Sequence, residues 1–292
     1  MSIHIPVLLD EVLEHLLAVE GATIVDGTLG GGGHTRALAQ AVTPSGLVIS
    51  MDQDPHAITA AREWDHPWST CVRTTQANFA DLPEVLDQMD VDQVDGVLLD
   101  LGLSSYQLAD QSRGFSFQAI GSLDLRFNPL QGEPAYRLLE RLGEKHLADL
   151  IFRYGEERYS RRIARRIVES RQKASLRTAQ QLRDLICQSV PAAAHAQRIH
   201  PATRTFQALR IAVNEELKSL EIALRRIPDR LRNGARLAII SFHSLEDRLV
   251  KHAFRSDDRL TVVTKRPIRP SEFESGQNPR SRSARLRVAE RQ

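Results

Sequence analysis

The chain has 292 residues, of which 41% are hydrophobic, so it is long enough to bury one large core or two smaller ones. No apolar run approaches the roughly 18 residues that span a bilayer, and the opening MSIHIPVLLDEVL lacks the basic start of a signal peptide. Cys71 and Cys187 are too few for a disulfide framework, and we expect both to be buried thiols. These features predict a cytoplasmic protein with no membrane association.

Short apolar runs predict five strands that alternate with helices. They lie near 23–26, 47–52, 70–75, 95–101 and 236–242. The continuous hydrophobic stretches of the last two are typical of strands buried on both faces of a parallel sheet. The pattern predicts an α/β fold with a doubly wound sheet, and the runs at 260–263 and 285–288 could form a closing antiparallel hairpin.

A long segment separates the fourth and fifth predicted strands, and one crossover helix cannot use that length. We therefore predict an inserted helical domain at 109–210, within a discontinuous core formed by 1–108 and 211–292. Thr178 and Gln181 have the spacing of a capping box for a helix that ends near Pro191. Apolar residues at helical spacing through 206–224 predict one helix that returns the chain to the core.

The first strand leads into a glycine-rich turn, Gly30 to Gly33, which is followed by a helical run. Glycines let a backbone pass close to a ligand and permit positive φ. The second strand ends in Asp52, at the distance where a carboxylate can bind the hydroxyls of a ribose. This arrangement predicts a nucleotide-cofactor site at the first crossover of the sheet. The alternative is a glycine-rich turn without a ligand.

The spacing of the glycines distinguishes between cofactors. A dinucleotide fingerprint starting at Gly30 would need a third glycine at the position of Thr35, and no Gly-Lys-Ser/Thr of a phosphate-binding loop follows. Asp26, just before the glycines, would repel a pyrophosphate but attract the ammonium or sulfonium of S-adenosylmethionine. The residues therefore favour S-adenosylmethionine over NAD.

The charge is unevenly distributed along the chain. Residues 151–210 contain 13 Arg and Lys against 4 Asp and Glu, and residues 261–292 contain 8 against 3, although the whole chain carries only +2. An acidic body with two basic segments predicts a polyanionic partner. The Arg161 to Arg166 cluster, on one face of a basic amphipathic helix, is the best candidate for binding a nucleic-acid backbone; ordinary solvated surface charge is the alternative.

Other candidate residues follow the strands, where ligands bind in open α/β sheets. Phe79 could pack on an adenine ring or in the core, with Asn78 or Asp81 nearby. Asp100 ends the fourth strand, where an unpaired buried carboxylate would be costly. His243, after the fifth strand, could position a substrate or could enter a helix capped by Ser244 and Asp247.

Six motifs, in order, resemble one known family, the bacterial 16S rRNA (cytosine-N4)-methyltransferases called RsmH or MraW. They are HIPVLLDEV at 4–12, VDGTLGGGGHT at 25–35, DGVLLDLGLSS at 95–105, RGFSF at 113–117, HPATRTFQALRI at 200–211 and SFHSLEDR at 241–248. The resemblance implies a class I methyltransferase core interrupted by a helical domain. It also implies methyl transfer from S-adenosylmethionine to the exocyclic amine of a cytidine in 16S rRNA, which we expect to meet the enzyme within the small ribosomal subunit.

The same resemblance implies a set of residues that contact S-adenosylmethionine: Gly32, Gly33, His34, Asp52, Phe79, Asp100 and Gln107. Tyr106 stands where many members have proline, which bears on the conformation of this loop and on the Gln107 contact. The chain also lacks the D/N/S-P-P-Y/F motif of many amino-methyltransferases. It has DLGLSS there instead. The resemblance therefore implies which reaction is catalysed, but it does not point to a set of four catalytic residues.

The chemistry needs no metal ion, because positioning and electrostatics can supply most of the rate. Our hypothesis is that Asp100, or a backbone carbonyl in 100–104, accepts a hydrogen bond from cytosine N4, while Ser104 and Ser105 orient the base. Tyr106 or Phe115 could stack on the unstacked base. His200, Arg204 and Arg210 could hold RNA phosphates or could tie the two domains together. The competing functions are an NAD dehydrogenase, a non-catalytic RNA-binding or assembly factor, and a DNA amino-methyltransferase; the oligomeric state stays open.

Overall fold

The computed structural model of the protein describes residues 6–195 and 199–292. These residues form two compact units, one built from the chain up to Ser104 and from Leu217–Gln292, the other from Ser105–Glu216. The sequence prediction placed the corresponding limits at 108 and 211. Among the helices in these ranges, none has both the length and the apolar composition that a membrane span requires.

A seven-stranded sheet is the centre of the first unit, with the order β3-β2-β1-β4-β5-β7-β6 across the described residues. β1 to β5 run parallel, and β7 lies antiparallel between β5 and β6. This order confirms the α/β prediction and the class I arrangement with its closing antiparallel hairpin. The strands are β1 Thr23–Asp26, β2 Leu47–Asp52, β3 Val72–Gln76, β4 Val94–Asp100, β5 Leu231–Ser241, β6 Leu260–Val262 and β7 Arg285–Arg291.

Both faces of the sheet are buried, because neighbouring residues of one strand enter opposite layers of the core. Val25 and Leu99 belong to one hydrophobic cluster, and Ile24 and Leu98 belong to the other. Helices cover each face and complete the clusters. This double burial is the reason for the continuous apolar runs in the sequence. The helices of this unit are α1 Leu9–Leu16, α2 Gly33–Val42, α3 Pro55–Arg62, α4 Leu82–Gln88, α12 Glu216–Arg226, α13 Ser244–Ser256 and α14 Glu272–Gln277.

The second unit is helical, as the sequence predicts for the insert. Its basic amphipathic helix begins at Ser160, and it buries Ile163 and Ile167 while Arg161 and Arg162 are exposed. Phe115 is buried and stacks on Phe127, so it is not available to stack on a base. The helices of this unit are α5 Ser105–Ala109, α6 Ala135–Arg141, α7 Glu144–Gly155, α8 Ser160–Arg171, α9 Ala179–Ser189, α10 Ala192–His195 and α11 Thr203–Val213.

The single helix predicted through 206–224 is wrong, because α11 ends at Val213 and α12 begins at Glu216. Glu215 has a φ of 49°, which interrupts the helix. The Asn214 side chain accepts a hydrogen bond from the Phe127 amide at 2.7 Å and donates to the Leu125 carbonyl at 2.8 Å. These long-range bonds hold the break, and a local helical pattern cannot reveal them.

Two smaller expectations are also corrected. Cys71 is buried, as predicted, but Cys187 is only half-buried. The helix after β5 is capped by His243 and Glu246, whose side chains bond each other's backbone amides, rather than by Ser244 and Asp247. Asp247 instead accepts hydrogen bonds from two arginines of β7, at 2.6 and 3.1 Å.

The capping box at α9 provides a test of local stability. The Thr178 hydroxyl accepts a hydrogen bond from the Gln181 amide, and the Gln181 side chain accepts one from the Thr178 amide. We expect Thr178→Ala to lower the free energy of unfolding by about 1 kcal/mol, since one helix donor then loses its partner. Thr178→Ser keeps the hydroxyl and should differ little from the wild type in urea unfolding. Equal losses in both variants would contradict the role of the cap.

Candidate active site

Three neighbouring parallel strands end in aspartates at the same edge of the sheet. β1, which lies between β2 and β4, ends in Asp26, and its neighbours end in Asp52 and Asp100. The glycine turn leaves β1 at this edge and leads into α2. The structure therefore brings together the carboxylates and the glycine turn that the sequence singled out, at the topological switch point.

The Asp26 carboxylate is buried and bonded within the protein. One oxygen accepts from the Thr28 amide at 3.1 Å, and the other accepts from the Thr35 hydroxyl at 2.6 Å. These bonds tie the end of β1 to the first turn of α2. The sequence interpretation assigned this carboxylate to attracting the cofactor, whereas its observed hydrogen bonds stabilise the turn that would hold the cofactor.

Asp52 is half-buried and holds the glycine turn from the neighbouring strand. Its oxygens accept from the Gly30 amide at 2.7 Å and from the Asp54 amide at 2.8 Å. Burial raises the pKa of Asp52 to about 6, and the two backbone hydrogen bonds partly offset that effect. Each oxygen has a further lone pair, so the carboxylate can still accept hydrogen bonds from ribose hydroxyls.

The glycine turn has two positions that disfavour a side chain. Gly32 has a φ of 74°, and a Cβ there would overlap the ring of Trp64. Gly30 has a φ of 49°, and its Cβ would lie 3.2 Å from the Cβ of Ser104. The close approach of Trp64 and Ser104 and the positive φ values together explain why glycine is needed here.

Asp100 has one oxygen that the protein leaves without a partner. Its Oδ2 lies 3.5 Å from Nδ1 of the buried His34, whereas its Oδ1 is buried and has no hydrogen-bond partner among the described residues. Burial raises the pKa of Asp100 to about 6, an effect that His34 opposes. Buried polar groups are nearly always hydrogen-bonded, so a buried acceptor without a partner is a feature of a ligand site.

Phe79 and Asn78 follow β3, as predicted. Phe79 is half-buried and packs against the core cluster of one sheet face. The Asn78 side chain accepts from the Ala80 amide at 2.9 Å and donates to the Ser219 hydroxyl at 3.0 Å. Asn78 therefore has a structural role, and the position of Phe79 on the core leaves the adenine contact a prediction.

The remaining predicted residues divide between the two units. Ser104 ends the first unit beside Gly30, while Ser105 and Gln107 belong to α5 of the second unit. Gln107 is buried, and Tyr106 is 61% exposed. The roles of these residues toward cofactor or base stay predictions.

Sequence reasoning missed two residues that shape the site. The Thr28 hydroxyl accepts a hydrogen bond from the Asp100 amide at 2.7 Å and so ties the turn to β4. The Trp64 ring packs against Gly32, and Cζ of Arg36 lies 4.7 Å from the centre of the Trp64 ring. Thr28 stands inside a recognised motif, but nothing in the sequence pairs Trp64 with the turn.

Comparison with known proteins identifies the family. A family description, the MraW methylase family, matches residues 1–292. The chain belongs to the MraW methylase family. A protein of Trichlorobacter lovleyi named ribosomal RNA small subunit methyltransferase H is 44% identical over 99% of this chain and 98% of its own length. A protein of Deinococcus radiodurans with the same name is 49% identical over 99% of this chain and 89% of its own.

The chain also has a weaker likeness to a solved structure of an rRNA methylase from Streptococcus thermophilus. The two are 12% identical, with 97% of this chain and 92% of that chain covered and a TM-score of 0.42. The family assignment therefore depends on the sequence matches. The family uses S-adenosylmethionine, which confirms the cofactor that the glycine spacing predicts.

The raised pKa of Asp100 makes the stability of the free protein depend on pH. The native protein retains a proton on Asp100 between about pH 4 and 6 that the unfolded chain has released, so rising pH favours unfolding in this window. We expect Asp100→Asn to remove up to about 1.4 kcal/mol per pH unit from the slope of the unfolding free energy. Urea unfolding from pH 4 to 7 measures this slope.

The control for this prediction is Asp65→Asn, the same change at an exposed aspartate. It should leave the slope unchanged. If the unfolding free energies of the wild type and Asp100→Asn change in parallel with pH, Asp100 titrates normally. That result would contradict the claim that burial raises its pKa.

Proposed function

We propose that this MraW methylase transfers a methyl group from S-adenosylmethionine to the exocyclic N4 amine of a cytidine in the decoding region of 16S rRNA. The family membership and the names of its relatives support an rRNA substrate. The cytosine-N4 target follows from the sequence resemblance. The observation that carries the proposal is the unpartnered Oδ1 of Asp100 at the carboxyl end of β4.

Bound S-adenosylmethionine supplies an electrophilic methyl group on a sulfonium. The backbone of Gly32, Gly33 and His34 would hold the methionine part of the cofactor, Asp52 would accept hydrogen bonds from the ribose and Phe79 would pack on the adenine. The positive φ of Gly32 and the two hydrogen bonds of Asp52 keep this edge of the sheet in a fixed shape. A fixed shape of this kind lowers the entropic cost of aligning donor and acceptor.

Asp100 has the properties that the acceptor amine requires. Cytosine N4 is a weak nucleophile, because its lone pair is delocalised into the ring. A hydrogen bond from N4 to a buried carboxylate oxygen localises that lone pair as the nitrogen pyramidalises. Transfer of the methyl group would release S-adenosylhomocysteine and leave N4 cationic, and Asp100 would accept the proton from N4 and pass it to solvent. A pKa near 6 allows Asp100 to be ionised at neutral pH and still accept a proton.

The second unit supplies a surface that suits an RNA backbone. Arg161 and Arg162 are exposed on α8, and neither has an ion-pair partner in the described part of the chain. The next two arginines of this face are each 3.4 to 3.5 Å from a glutamate. Arg210, by contrast, forms two 2.8 Å bonds with Glu216 of the same unit, so it is already engaged with the protein.

The first test is methyl transfer from labelled S-adenosylmethionine to small ribosomal subunits, free 16S rRNA and duplex DNA, with mass spectrometry of the nucleosides. We expect N4-methylcytidine from a ribosomal substrate. Asp100→Asn should lower the rate by at least about 100-fold, because the amide cannot take the proton, whereas Asp65→Asn should not. Label in DNA alone, or S-adenosylmethionine binding without transfer to any substrate, would reject the proposal.

A second test concerns the RNA surface. We expect the double variant Arg161→Ala/Arg162→Ala to weaken 16S rRNA binding and to reduce the slope of log K against log salt by about 1.5, since two phosphate contacts are lost. The matched control is Arg137→Ala/Arg141→Ala, which removes two exposed arginines of the same unit that are paired with Glu140 and Glu133. If the two double variants weaken RNA binding equally, only the net charge of the protein matters, and the specific role of Arg161 and Arg162 is contradicted.

A further inference from the structure

The ring of His34 is engaged at both nitrogens, although the sequence resemblance assigns this residue to the cofactor. Nε2 lies 2.9 Å from the carbonyl oxygen of Val7, and Nδ1 lies 3.5 Å from Oδ2 of Asp100. A carbonyl oxygen only accepts, so Nε2 carries the hydrogen. Any proton shared with Asp100 must therefore lie on the Nδ1 side.

The Val7 carbonyl is itself held in place by an unusual turn. Leu8 has a φ of 54° and is buried, a left-handed conformation that is unfavourable for a leucine. Its amide donates to the Glu274 carboxylate of α14 at 2.9 Å. The hydrogen bond and the buried side chain together maintain this turn, which directs the preceding carbonyl at His34.

His34 opposes the other influences on the pKa of Asp100. Asp26 from β1 and Glu246 from α13 both raise the pKa of Asp100, as does burial, whereas His34 from α2 lowers it. Burial is the largest of these effects, and a residue that opposes it increases the fraction of Asp100 that is ionised at neutral pH.

We propose that His34 is a positioning residue for the methyl-transfer reaction, held by the Val7 carbonyl and the Glu274-bound turn so that it orients and keeps ionised the carboxylate of Asp100. This inference rests on the proposed function. The proton that leaves N4 passes to Asp100 Oδ1, and a protonated His34 ring, whose Nδ1 lies 3.5 Å from Oδ2, favours the return of Asp100 to its ionised form as that proton passes to solvent. The backbone of residue 34 remains available to the cofactor.

Nitrogen NMR of the free full-length protein tests the geometry without any substrate. With ¹⁵N-labelled histidine, we expect the His34 signals to show a hydrogen on Nε2 at pH 8, because that nitrogen donates to the Val7 carbonyl. His34→Gln identifies the signals. A hydrogen on Nδ1 alone at pH 8 would overturn the proposal whatever the enzyme does.

The pH profile of single-turnover methyl transfer tests the role. We expect His34→Gln to be about tenfold slower than the wild type at pH 7 and to approach it by pH 9, because raising the pH restores the ionised Asp100. The equilibrium affinity for S-adenosylmethionine should stay within about threefold, or about 0.7 kcal/mol. The exposed His252→Gln is the matched control and should follow the wild type throughout.

A rate loss of equal size at every pH, or a fall in cofactor affinity that accounts for the loss, would overturn the positioning role.

If His34→Gln fails to fold, Glu274 provides the second test. Glu274→Ala should move the pH profile in the same direction, and Glu274→Gln should recover it, because the amide oxygen can still accept from Leu8. A wild type that methylates no ribosomal substrate would reject the proposed function, while the NMR result would still decide the geometry.

Discussion

The desolvation of three carboxylates at one edge of the sheet is the constraint on which the rest of the site depends. An ion buried without partners costs several kcal/mol, and hydrogen bonds to charged groups contribute about 1.5 to 3 kcal/mol each. Asp26 and Asp52 obtain their partners from the glycine turn and the residues beside it. The turn therefore takes its shape from the carboxylates, and the positive φ of Gly30 and Gly32 follows from that shape.

Asp100 is the exception, because one of its oxygens lowers the stability of the free protein and can serve function instead. Its Oδ1 has no partner in the part of the chain that the structure describes, so its burial is an uncompensated cost in the free protein. A donor N–H that reaches this oxygen removes that cost, and the gain in free energy becomes available for binding and catalysis. The same residue that destabilises the free fold is thus the one best suited to recognise an amine.

The sequence predicts the sheet well, because strands buried on both faces have continuous apolar runs that end in the functional aspartates. It fails where contacts between distant residues decide the structure. The break between α11 and α12 depends on Asn214 bonding to the chain near Phe127, and no local pattern shows this. In the site, motif positions such as Asp52 and Asp100 are found from sequence, whereas the Val7 carbonyl that holds His34 is a backbone group and leaves no signature.

The most direct test of the account is a ¹³C NMR titration of the Asp100 carboxyl in the full-length protein, alone and with S-adenosylhomocysteine and cytidine. The account predicts titration near pH 6 in the free protein and a changed carboxyl shift when cytidine binds, because N4 donates to Oδ1. A normal aspartate titration together with no response to cytidine would contradict it, since Asp100 would then be neither desolvated nor in contact with the base.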